Sequence, residues 1–227
     1  MAAVGRNAVL PATQLLTQKI PMYISAYDGL GECFTIPERA APKANAPEQI
    51  QFVEVRDVKH GFVGGRLTTS FSKVEPMSSE KKQAFIKRFI DPMLKHDLAA
   101  KVLVALNRGP HPVGIACGNG RFGFNGTIAL DRAQAVGGRG SPAIIFIDEK
   151  ASDWSKLETI LGHPDVGLFH ELLHALQIQS GVATNDENES ERRVIGIEKY
   201  SKCGVTENAY RNARELLPRC CRDREQL

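Results

Sequence analysis

The stretch Gly167-Leu-Phe-His-Glu-Leu-Leu-His-Ala-Leu176 constrains this chain more than any other. It contains His170-Glu-Leu-Leu-His174, the H-E-x-x-H pattern. Residues four apart lie on one face of an α-helix, so His170 and His174 can hold one Zn²⁺ from the same side. Glu171, about 100° further round the axis, then stands beside the metal, where it can take a proton from an attacking water. The flanking sequence suits a helix. Pro164 and Asp165 mark its start, with Asp165 as N-cap. Leu168, Leu172, Ala175, Leu176 and Ile178 supply an apolar side, and Gly181 offers a stop. By chance, a chain of this length carries such a pattern about one time in a hundred. The competing reading is a buried helix with two incidental histidines.

The remainder of the chain sets bounds. Its 227 residues suit one domain, or one domain with an arm. A net charge of +3 gives no reason to expect a nucleic-acid partner. No apolar run is long enough to span a membrane, and the N-terminus lacks the pattern of a secretory signal. Five cysteines, Cys33, Cys117, Cys203, Cys220 and Cys221, form no paired framework. The odd count predicts reduced thiols and a reducing working compartment.

Residues 1–27 contain no Asp or Glu and read as a mobile arm with a short helix near 12–19. Pro37, Pro42 and Pro47 among alanines mark a linker over 37–49. The compact domain is therefore placed at 50–227, with 1–49 as arm and linker. Strands are expected at 51–58, 67–71, 101–106, 113–116 and 124–130, and a strong one at 142–148. That last strand is expected either to line a cleft and pair with an extended substrate or to sit centrally in the core. A helix opens at Pro76 and Ser78 or Ser79, carries Phe85, Ile86, Phe89 and Ile90 at helical spacing, and kinks or ends at Pro92. A short helix is expected at 152–161, with Trp154 and Leu157 turned inward. Gly118-Asn-Gly-Arg-Phe-Gly123 matches G-x-G-x-x-G, but a strand-like run follows where a nucleotide fold needs a helix. It reads as a turn, and no organic cofactor is expected. Gly137 to Gly140 reads as a flexible loop.

A catalytic zinc takes three protein ligands and keeps a position open. His60, His96, His111 and His163 lie upstream and read as surface or packing residues. A downstream carboxylate is the natural third ligand, with Glu191 first, then Glu198 and Glu207, then Glu187 and Glu189.

These residues resemble a family. His170 to Ala175, Glu191-Arg-Arg-Val-Ile-Gly196, and Thr206-Glu-Asn-Ala-Tyr-Arg211 with Leu217-Pro-Arg219 are similar to motifs of the zinc-protease effectors delivered by type III secretion, the NleD-type group and its plant-pathogen relatives. More distantly they resemble the clostridial neurotoxin light chains. Val194 stands where the light chains have Thr, and Arg219-Cys-Cys-Arg222 departs from their R-x-x-Y element. The resemblance implies that an Arg or Tyr stabilises the oxyanion, with Tyr210, Arg211 and Arg219 as candidates.

The expected fold is α+β and zincin-like: a small twisted sheet, a backing helix and the H-E-x-x-H helix under a cleft. The expected activity is a zinc endopeptidase with one Zn²⁺ per chain. The resemblance implies secretion by a type III system into the host cytoplasm, with an export signal and a secretion chaperone on the N-terminal arm, and a host signalling protein such as a kinase as substrate; a monomer is expected. The alternatives are a catalytically silent zincin-shaped binding protein and an intracellular bacterial peptidase of broad specificity.

Overall fold

A computed structural model describes residues 49–56, 59–63, 66–71, 73–118, 125–148 and 163–220, with Cys33 and Phe122. The expected helices at 12–19 and 152–161 lie outside these residues. So do nearly all of the arm and linker and most of the 118–123 turn.

The fold is α+β. Strands β1 (Ile50–Arg56), β4 (Lys73–Pro76), β5 (Val113–Cys117), β6 (Gly126–Ala129) and β7 (Ala143–Ile147) form one mixed sheet in the order β4-β1-β5-β7-β6. β1, β5 and β7 run parallel; β4 and β6 pair antiparallel at the two edges. β2 (Lys59–Val63) and β3 (Arg66–Ser70) form a separate antiparallel hairpin. Among the described residues, the α-helices of five residues or more are α1 (Ser79–Phe85), α2 (Asp97–Asn107), α3 (Arg132–Val136), α4 (Pro164–Gln179), α5 (Glu187–Ile195) and α6 (Glu207–Ala213).

Alternation along β7 shows how the sheet is buried. Ala143, Ile145 and Ile147 join the main core with α4. Ile144 and Phe146 face the other way and pack with Val53, Val55 and Phe122. A strand apolar on both sides belongs inside a sheet, and β7 does, between β5 and β6. The cleft-lining alternative for 142–148 is therefore corrected: both of its hydrogen-bonding edges are occupied, and the edge strand on that side is β6.

Ser78 caps α1 by accepting from the Lys81 amide. The chain continues through a π-helical turn, Ile86–Ile90, in which the Asp91 amide reaches back to the Ile86 carbonyl. The wider turn stands immediately before Pro92, whose ring and missing N–H disturb an α-helix. Phe85 and Phe89 stack there at 4.5 Å.

The expected strand at 101–106 is corrected to part of α2. Val102 to Leu106 are all buried, as are Ala99 and Ala100. An unbroken apolar run as short as Val102 to Leu106 reads equally well as a buried strand. Asn107 at the end of α2 accepts the amides of Gln49 and Ile50, fixing the start of β1.

The expectation of five reduced thiols is also corrected. Cys33 and Cys203 form a disulfide, with Cα atoms 5.4 Å apart across 170 residues of sequence. That spacing matches no local pattern, so the odd count was a misleading guide.

Candidate metal centre

α4 lies against β6 and β7 on one side and against α2, α5 and α6 on others. Leu168, Phe169, Leu172, Leu173, Ala175 and Leu176 are buried in the core. The helix stops where expected, with Gly181 at φ 77°. Its start differs. His163, not Asp165, is the N-cap residue. Asp165 sits in the first turn, where a negative charge is favoured, and is buried as an acceptor for the Tyr210 hydroxyl at 2.6 Å and for the Arg214 guanidinium.

α5 returns to α4 after a short connection. Asp186 caps it by accepting from the Glu189 amide at 3.1 Å. Gly196 ends it at φ 80°, a left-handed conformation that favours glycine. A Cβ on Gly196 would stand 2.5 Å from the Thr206 hydroxyl. Thr206 is the N-cap of α6. This close approach places Glu191 of α5 and Glu207 of α6 around one histidine.

The structure brings together His170, His174 and Glu191, with one ligating atom of each within 4.8 Å of the others. The two Nε2 atoms are 3.1 Å apart. Glu191 sets Oε1 at 3.1 Å from His174 Nε2 and Oε2 at 3.4 Å from His170 Nε2. Donors at ~2.0–2.1 Å from a tetrahedral zinc stand about 3.3–3.4 Å from one another, so the spacing fits one ion. The hydrogen bonding behind the ligands fits as well. His170 Nδ1 donates to Glu207 Oε2 at 2.8 Å, and His174 Nδ1 is 3.2 Å from Ser190 Oγ. A carboxylate only accepts, so Nδ1 of His170 carries a hydrogen, and Nε2 is the nitrogen that can offer a lone pair to an ion once its own proton is displaced.

Charge surrounds this arrangement. Burial pushes the pKa of metal-free His170 down, but the flanking Glu191 and Glu207 carboxylates outweigh it and raise the value to about 10. Burial would raise Glu207; instead His170, with Arg219 and Arg211, lowers it to about 2. Burial likewise opposes ionisation of Glu191, and the imidazoles of His170 and His174 reverse that, holding it below the usual carboxylate range.

Glu171 follows His170 on α4, with Oε2 accepting from the Thr127 hydroxyl of β6 at 2.8 Å. The alternative ligands stand elsewhere. Glu198 is exposed and pairs with Arg192 at 3.5 Å. Glu187 is exposed in the first turn of α5, and Glu189 pairs with Tyr200 and Lys199. Glu207 contacts the cluster through His170.

The three oxyanion candidates have other settings. Tyr210 is fully buried, packs at a tilt against Phe169 with ring centres 4.3 Å apart and gives its hydroxyl to Asp165. Burial, then the Asp165 carboxylate, raises its pKa. Arg211 Nε donates to Glu207 Oε1 at 2.5 Å and Arg219 Nη1 to Oε2 at 3.2 Å. Asn208 holds the Arg219 backbone by two bonds, at 2.7 and 2.8 Å. The Thr206 to Arg211 motif and Arg219 thus form one support for the carboxylate behind His170. Sequence reasoning missed that support, and also Thr127 and Ser190. The Thr-Glu-Asn run was the signal for the first; nothing marked the other two.

Comparison with family models, curated proteins and solved structures gives no significant match. Among the described residues, no helix is long and apolar enough to cross a membrane.

Proposed function

We propose that this chain is a zinc-dependent endopeptidase acting on a host protein. The observation that carries the reading is the convergence of His170, His174 and Glu191 with Glu171 adjacent on the same helix. A carboxylate next to a three-ligand site, yet outside it, is the arrangement metal-assisted hydrolysis needs.

Each residue then has a task. His170, His174 and Glu191 hold the ion, and Glu207 keeps His170 in the ligating tautomer. When bound, zinc supplies Lewis acidity, which makes water a better nucleophile near neutral pH and polarises the scissile carbonyl. Glu171 accepts the proton of the attacking water and returns it to the leaving amine. An extended substrate segment docks on β6, the sheet edge that carries Thr127, through backbone hydrogen bonds. This moves the docking role from 142–148 to 126–129.

A host target is supported by the effector-like motifs and by the acid-poor residues 1–27. The Cys33–Cys203 bridge removes reduced thiols from that support.

The test compares host lysates treated with zinc-loaded wild type and with Glu171→Gln, reading new protein termini. Termini made by the wild type alone are expected. Identical terminus profiles would contradict the peptidase reading and favour a binding protein.

A further inference from the structure

We infer that Thr127 is the positioning residue of Glu171: its hydroxyl holds Oε2, leaving Oε1 as the oxygen that takes and returns the proton. This rests on the peptidase reading above.

The geometry begins in the strand. Thr127 lies on β6 opposite Ile145 of β7. Alternation gives it the α4 face. Its neighbour Ile128 packs with the cluster on the far side of the sheet, while Ala129, two residues on, packs with the main core. The Ile145 across from it is wholly buried in that core. A hydroxyl on such a face costs desolvation energy unless it finds a partner. The partner is Glu171, with Oε2 at 2.8 Å and the backbone carbonyl at 3.1 Å. One hydroxyl has one proton to give. A bond to the helix carbonyl would be purely structural, whereas a bond to the carboxylate fixes the base. The contact to the carboxylate oxygen is the shorter of the two and is therefore taken as the one the proton serves.

Two features make Thr127 suited to the task. Its β-branched side chain is stiff at χ1, and its backbone is held in register by β7. A base oriented by a rigid strand loses little entropy when it engages substrate. The same strand is the proposed docking edge, so one element sets both the substrate backbone and the base.

The experiment uses the full chain, zinc-loaded, as wild type, Thr127→Val, Thr127→Ser and Glu171→Gln. Val keeps shape and β-branching without the donor; Ser keeps the donor. Zinc affinity is measured by competition with a chromophoric chelator, turnover on casein, and the Glu171 orientation in crystal structures. Thr127→Val is expected to keep wild-type zinc affinity and KM, to lose roughly 10- to 100-fold in kcat, and to show the Glu171 carboxylate turned from its wild-type position. Thr127→Ser is expected to recover most of kcat. Wild-type kcat and an unmoved Glu171 carboxylate in Thr127→Val would overturn the inference. So would equal losses in Val and Ser, which would mark a packing role. If wild type cuts casein no faster than Glu171→Gln and makes no new termini in host lysate, the peptidase reading fails. The crystal structures then decide Thr127 alone: a displaced carboxylate supports the positioning role and an unchanged one overturns it.

Discussion

At the scale of single residues, Glu207 stands one contact behind the His170, His174 and Glu191 triad, and Arg211 and Arg219 converge on its carboxylate. Removing a group that orients a ligand typically costs 10- to 100-fold in metal affinity. Glu207→Gln should therefore weaken zinc by about that factor. Glu191→Ala should lose stoichiometric zinc, and Glu198→Ala should bind like wild type; chelator competition reads all three. Full zinc affinity in Glu191→Ala would show that the ligand assignment is wrong. Glu171→Gln should keep its zinc and lose roughly 10²–10⁴ in rate. Loss of zinc from that folded variant would contradict its place outside the ligand set. Metal-free His170 has a pKa raised to about 10, so it holds a proton at neutral pH that zinc must displace. Zinc uptake near pH 7.5 should release about one proton, and apparent affinity should climb as pH rises toward 10. Titration calorimetry in buffers of different ionisation enthalpy measures this, and heat independent of buffer would contradict it. The two histidines and Glu171 were legible because their relation is local, a matter of helical period. Thr127 and Ser190 were not, because each serves a residue of a different helix and nothing in its own neighbourhood reports that.

Among elements, the joint between α5 and α6 matters most to the site. Gly196 lets α5 end with its backbone against Thr206, and a side chain there has neither the conformation nor the space. Gly196→Ala should cost at least about 1–2 kcal/mol for the left-handed backbone alone, and more for the contact. Thermal unfolding should show a melting temperature several degrees lower, with weaker zinc binding because Glu191 and Glu207 no longer meet at His170. An unchanged melting temperature would mean that the joint relaxes freely. α1, by its helical period, and β1, β5 and β7, as apolar or alternating runs, could be read from sequence. α2 could not, because its unbroken apolar run, Val102 to Leu106, reads equally well as a buried strand. The position of β7 was also hidden. A wholly apolar strand announces burial, but which strand closes the sheet depends on β6, whose four half-buried residues carry little pattern.

For the whole molecule, the Cys33–Cys203 bridge ties a distant N-terminal residue to the segment leading into α6. In the chain-entropy picture, closing a loop of that length stabilises by up to roughly 5 kcal/mol. Cys203→Ser, or wild type in strong reductant, should melt well below the oxidised protein; equal melting would contradict a structural bridge. The α+β class could be read from the sequence, whereas this long-range link could not. On the proposed reading, two imidazoles and one carboxylate bind a zinc ion. X-ray absorption at the zinc edge of the loaded protein tests it most directly. One zinc per chain is expected, with nitrogen and oxygen neighbours only, at ~2.0–2.2 Å, including two imidazoles. A sulfur neighbour near 2.3 Å, or a single imidazole, would contradict it.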